Sequence, residues 1–115
     1  MSDLTRTDII KLIAIATKPL NLWGVNLSGV DLSYLDLRKA ELTYANLTGA
    51  NLTKTILSDA CLINANLTKA NLRNASLVRA SLTTANLTGA NLTVADLNGA
   101  KLNGANLTDV IGYNK

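Results

Sequence analysis

Histidine is absent from the 115-residue chain, which removes the commonest general base, proton shuttle and metal ligand. Without it, the abundant Ser and Thr hydroxyls have no evident partner to activate them. Cysteine occurs once, at Cys61, so no disulfide can form within the chain, and one thiol says nothing about compartment. Apolar content is high, yet no uninterrupted apolar run is long enough to span a bilayer. The glycine spacings Gly24–Gly29 and Gly99–Gly104 match that of a phosphate loop, but the Lys-Ser/Thr that must follow is missing. These absences point away from an enzyme, and no metal, cofactor or small-molecule substrate is expected.

What the chain has is a leucine at every fifth position. The 90 residues 20–109 divide into 18 units centred on Leu22, Leu27, Leu32 and so on to Leu107. From Ala40 to Ala105 an alanine stands two residues before each leucine, except at Thr55. On an α-helix, five steps of about 100° would scatter the leucines. On a straight strand an odd spacing would send them to alternate faces. Within one unit, Ala and Leu share a face if three residues are extended, and the following pair, such as Thr48-Gly49, suits a corner. A short side and a bend, repeated, keep every leucine inside a coil, so the chain should be a solenoid.

The residue before each leucine gives the number of sides. Asn26, Asn46, Asn66, Asn86 and Asn106 recur every twenty residues, as do Asn51, Asn71 and Asn91. Four units per turn would stack them in two columns, with each amide placed to bond its copy one coil away. Four sides give about 4.5 coils, each rising ~4.8 Å.

These units resemble the pentapeptide-repeat family, whose signature is Ala, then Asp or Asn, then Leu, then two variable residues. The resemblance covers about four-fifths of the chain. It implies an all-β solenoid, a right-handed four-sided β-helix with Leu and Ala both inward. Departures are mild: Thr55, Ile56 and Cys61 break the consensus, and the first coil has Leu20, Val25, Val30 and Leu35 where alanine is usual.

Residues 1–19 lie outside the repeat. Thr5-Arg6-Thr7-Asp8 has the form of a capping box, and Leu4 with Ile9 occupy hydrophobic-staple positions. The pattern predicts a short α-helix from Arg6 to Thr17, ended by Lys18-Pro19 and lying over the first coil. A secretory signal is the competing reading, but Asp3, Asp8 and Lys11 interrupt its basic and apolar regions. A cytoplasmic location is expected. At the other end, residues 110–115 begin a further unit with Gly112 where leucine belongs. Either Ile111 and Tyr113 fold across the last coil, or Val110, Ile111 and Tyr113 form an end-to-end contact with a second molecule.

Several surface features invite function. Asn-x-Ser/Thr recurs through the repeat as its by-product, and glycosylation is not expected. Lys54, Lys69, Arg73 and Arg79 fall in the middle coils, with only Tyr34 near to stack on a base, so solvated charge is the better account and no nucleic acid or membrane partner is expected. Some members of the resembled family imitate duplex DNA and bind DNA gyrase. That needs a densely acidic surface, whereas residues 20–109 hold six acids against seven bases. The remaining candidate is an interaction patch. Trp23, Tyr44, Cys61 and Ile63 fall on one wall, and Ile56 and Val78 on the wall that meets it. Clustered exposed apolar residues often mark a binding surface, although scattered ones mean nothing. The sequence therefore predicts a non-catalytic solenoid presenting rigid walls to a protein partner or to itself.

Overall fold

Every five-residue unit folds into one short side and one tight corner. In the unit around Leu42, the N–H of Ala45 donates to the carbonyl of Leu42 at 3.0 Å, with Tyr44 between them at φ 63°. Positive φ at the third residue alone defines a type II turn. The same left-handed position is taken at every corner from Gly24 to Asp109. Glycine fills only some of these corners; Tyr34, Lys54, Thr84 and Val94 are among the others.

The computed structural model describes residues 2–113. Its sides stack through a repeated set of backbone bonds. Leu22 and Gly24 donate to the carbonyls of Glu41 and Thr43 one coil on, and Glu41 donates back to Leu20, at 2.8–2.9 Å. The set recurs to the bond from Ile111 to Ala90 at 2.9 Å. Each parallel bridge joins residues twenty apart, Asn26 to Asn46 to Asn66 to Asn86 to Asn106 on one wall and Asn51 to Asn71 to Asn91 on the next. The fold is the expected right-handed, four-sided β-helix. Its sides touch through single-residue bridges because a corner interrupts the chain before a longer strand can form.

Inside, the bore is filled by aliphatic side chains. No leucine at a unit centre from Leu22 to Leu92 is more than 2% exposed, and the alanines from Ala40 to Ala90 are equally buried. Thr55, the one polar residue in that alanine series, is fully buried, and its hydroxyl donates to the Leu32 carbonyl at 2.8 Å. The hydroxyl thereby meets the requirement that a buried polar group be bonded.

The asparagine columns form, but the amides are used differently from the expectation. In each of Asn46, Asn51, Asn66, Asn71, Asn86, Asn91 and Asn106 the side-chain oxygen accepts the backbone N–H two residues on, at 3.0–3.2 Å. At Thr68, Thr88, Thr93 and Thr108 the hydroxyl donates to the same oxygen at 2.6 Å. The amide oxygen therefore holds its own side of the coil instead of bonding its copy above or below. Asp31, Asp36 and Asp96 do the same with a carboxylate oxygen, which explains why Asn and Asp both suit the position.

The N-terminal helix α1 spans Arg6–Ile15, two residues shorter than expected. Its capping box is complete: Thr5 Oγ1 accepts from the Asp8 N–H, and Asp8 Oδ2 accepts from the Thr5 N–H at 2.9 Å. Ala16 is already extended, because the chain must leave the helix early enough to place the Leu20 carbonyl against Glu41. Ile9 is wholly buried in the core, with Leu4, Leu12 and Ile13 packed around it. Beneath them Val30 is buried, while Leu20, Val25 and Leu35 are half-buried.

Candidate interaction surface

The four walls differ in what they show to solvent. Consider first the wall carrying Leu22, Leu42, Leu62 and Leu82. Trp23 and Tyr44 stand at its edge in successive coils, with ring centroids 5.4 Å apart and planes tilted at 58°. That is a favourable aromatic geometry, yet the two residues remain 59% and 57% exposed. Tyr44 sits on a left-handed corner, which projects its ring beyond the wall.

The other predicted patch residues lie on this wall and the one before it, with polar groups among them. Cys61 Sγ lies 3.1 Å from the Thr43 hydroxyl, and that hydroxyl makes a short bond to the Glu41 carboxylate. The thiol is thus part of a polar chain crossing the wall. Ile63 is half-buried beside it. Ile56 and Val78 lie on the preceding wall, where the hydroxyls of Ser58 and Ser76 meet at 2.9 Å between the same two coils. Ile56 is 37% exposed and Val78 half-buried. Hydroxyls and a carboxylate therefore lie among the apolar side chains; Trp23 and Tyr44 meet ring to ring, and the Tyr44 N–H donates to the Ile63 carbonyl at 3.0 Å.

Of two further exposed groups in one corner column, the twenty-residue period already sets Tyr34 near Lys54, whereas Val94 is not singled out by the sequence. Lys54 Nζ lies 5.4 Å from the centroid of Tyr34, one coil above it, a cation–π distance. Val94, in the same corner column, is 74% exposed.

Most acidic side chains on the walls are bonded. Arg79 forms a two-point bond with Asp59 across one coil, at 3.0 and 3.1 Å, and Arg38 forms one with Asp36 inside a single unit, at 3.0 and 2.7 Å. The Arg79 guanidinium holds the Asp59 carboxyl below its usual range, and Arg38 holds Asp36 down likewise. The Ser33 hydroxyl and backbone N–H, and then Arg6, lower Asp31. Thr43 lowers Glu41 through its hydroxyl and its backbone N–H. Arg79 is thereby removed from the predicted basic group, and Lys54 is turned toward Tyr34. Among the described residues no group of three or more His, Cys, Asp or Glu side chains could hold a metal ion. No helix among them is long and apolar enough to cross a membrane.

The ends differ from the walls. At the first coil, Asp3 takes the place of a preceding rung over one wall: its N–H donates to the Asn26 carbonyl at 2.7 Å and its carboxylate accepts the Asn26 N–H at 2.9 Å. On the next wall Arg6 donates to the Asp31 carbonyl at 2.9 Å. In the coil 94–113 the leucines 97, 102 and 107 are only half-buried. Ile111 stays in the ladder, bonded to Leu92 and Ala90, with its side chain 56% exposed. Tyr113 and Val110 pack against the core. So of the two residues expected to fold across the coil, Tyr113 turns inward and Ile111 does not. Gly112 makes this possible, since at φ 76° a Cβ there would lie 2.5 Å from Thr93 Oγ1. The predicted end segment 110–115 is described only as far as Tyr113.

Comparison with known proteins agrees with this architecture. The family model described as pentapeptide repeats matches residues 21–59, 60–99 and 75–111. The chain is similar to the pentapeptide-repeat protein Rfr23 of the cyanobacterium Cyanothece 51142, at 40% identity and a TM-score of 0.81 over 86% of this chain and 68% of that one. It is also similar to HetL of Nostoc sp. strain PCC 7120, a pentapeptide-repeat protein involved in regulating heterocyst differentiation, at 35% identity and a TM-score of 0.51 over 83% of this chain and 53% of HetL. The chain thus spans about half the length of HetL. A treated form of QnrB1, a plasmid-mediated fluoroquinolone resistance protein, shares the fold at 21% identity and a TM-score of 0.66, over 74% of this chain and 46% of that one. A sequence search of curated proteins finds no match.

Proposed function

The chain belongs to the pentapeptide-repeat family, and from that premise we propose that it is a non-catalytic binding module whose rigid walls dock a partner protein. The observation that carries this reading is the exposed Trp23–Tyr44 pair. Aromatic side chains held firmly at a projecting corner bring large contact area at small entropic cost, which is why they dominate binding hot spots. Imitation of DNA is the weaker reading. Asp31, Asp36 and Asp59 are each paired with an arginine, so the walls offer no free acidic column of the kind a duplex presents.

Self-association is a second reading, and the half-buried leucines of the coil 94–113 favour it. Val110, Ile111 and Tyr113 would then meet their copies end to end. Light scattering across a concentration series measures this directly, and Ile111→Lys should lower the mass observed if the contact exists.

For the wall reading, the test is cross-linking and recovery of partners with the parent protein, Trp23→Ala and Tyr44→Ala. Truncating a hot-spot aromatic should reduce recovery about tenfold or more. Equal recovery of the same partners by all three proteins would remove the proposal.

A further inference from the structure

The first coil leaves part of its backbone ladder open beside the aromatic pair. In the regular stack, each wall of a coil receives two N–H groups and offers one N–H to the coil before it. For the wall of Leu22 those groups are the Asn21 and Trp23 carbonyls and the Asn21 N–H. Among the described residues none of the three has a hydrogen-bond partner. On the next wall Asp3 bonds the Asn26 N–H and carbonyl, and on the wall after it Arg6 bonds the Asp31 carbonyl, but the cap makes no such bond to this wall or to the wall of Asp36, which carries no aromatic pair. Asn21 and Gly24 are exposed, and a Cβ placed on Gly24 would meet no atom within 4 Å.

We propose that this open edge, Asn21 to Trp23, takes an extended segment of a partner protein as an added strand, with the segment's side chains lying on Trp23 and Tyr44. The inference rests on the binding-module reading and names its mode. Two observations select a peptide strand as the occupant. Unpaired ladder groups are complementary to another peptide backbone, which is how sheet edges capture extended segments. The molecule also already does this to itself: over the adjoining wall Asp3 supplies a backbone donor to Asn26, and its carboxylate stands in for the missing acceptor. The aromatic rings then favour a β-branched segment, because aromatic and β-branched side chains pair well across neighbouring strands.

Trp23 is the only tryptophan in the chain, so its fluorescence reports on this edge alone. The probe is a blocked, Trp-free peptide of alternating Val and Thr, compared with a copy N-methylated at alternate nitrogens. The unmodified peptide should change Trp23 emission saturably and slow exchange of the Asn21 amide. The copy methylated at the nitrogens facing the edge should bind about ten- to hundredfold more weakly, the loss of both N–H donors. Neither peptide alters the protein, so folding of a variant is not at issue. Absence of a saturable change overturns the proposal. So does protection at the Asp36 amide in place of Asn21, or equal binding by the methylated copy. In that last case a partner whose recovery still depends on Trp23 would leave the binding-module reading standing while strand addition falls.

Discussion

Replacing Thr55 with alanine restores the residue found at nearly every equivalent position of the repeat, and it should nevertheless destabilise the protein. Thr55 is fully buried and its hydroxyl donates to the Leu32 carbonyl at 2.8 Å. A net hydrogen bond of this kind contributes about 0.5–1.5 kcal/mol. The lower part of that range applies, because the Leu32 carbonyl keeps its bond from the Leu35 N–H at 3.3 Å and is not orphaned. Losing the methyl group adds about 0.8 kcal/mol, and the small void left behind adds more. Thr55→Ala should therefore cost about 1.5–3 kcal/mol and Thr55→Val about 1 kcal/mol. Urea unfolding followed by circular dichroism measures both, as a fall in midpoint at unchanged slope. Simple reversion to the family's preferred residue anticipates the opposite sign. If Thr55→Ala unfolds at or above the parent's midpoint, the hydroxyl is not stabilising this coil and the packing argument fails.

Other perturbations test other parts of the structure. Val94→Gly should raise stability by about 0.5–1 kcal/mol, since a β-branched residue at φ 60° is strained and its side chain is mostly exposed; a lower urea midpoint would contradict this. Leu62→Ala should cost about 3–5 kcal/mol and Leu102→Ala about half as much, because the first is fully buried and the second sits half-buried in the coil 94–113. Equal losses would mean that the coils do not depend on a neighbour on each side. Asp31, Asp36, Glu41 and Asp59 all have lowered pKa values in the fold, so their contribution is present above the ordinary carboxylate range near ~4 and is lost as pH falls through and below it. Urea midpoints taken from neutral pH downward should drop there, less steeply in Asp59→Asn; a flat profile would show these bonds to be irrelevant to stability.

The period of the sequence made the coil legible down to its walls, since the spacing of Leu, Ala and Asn leaves one arrangement that keeps the aliphatic groups inside. Columns could be assigned by counting in twenties. What counting could not reveal was the direction of each polar group. The Asn oxygens turn back to their own backbone because a corner exposes an N–H two residues on, a local demand that outweighs the distant copy. Similarly, Cys61 and Ile56 read as apolar surface, but Thr43 reaches Cys61 from the coil before, and Ser76 reaches Ser58 beside Ile56 from the coil after, setting polar groups among them. The capping box at Thr5 was plain in four letters, whereas the closure of the edge by Asp3 and Arg6 depends on where the helix lies.

The twenty-residue register of the ladder bears on how such a chain can change in length. Each unit presents much the same filling to the bore, so inserting or deleting five residues would leave the interior almost undisturbed. Everything after the change would, however, advance by a quarter-turn, carrying its outward side chains to a different compass bearing. A small slip during copying of the gene could thus redraw the exterior of this protein wholesale while its interior hardly registers the edit.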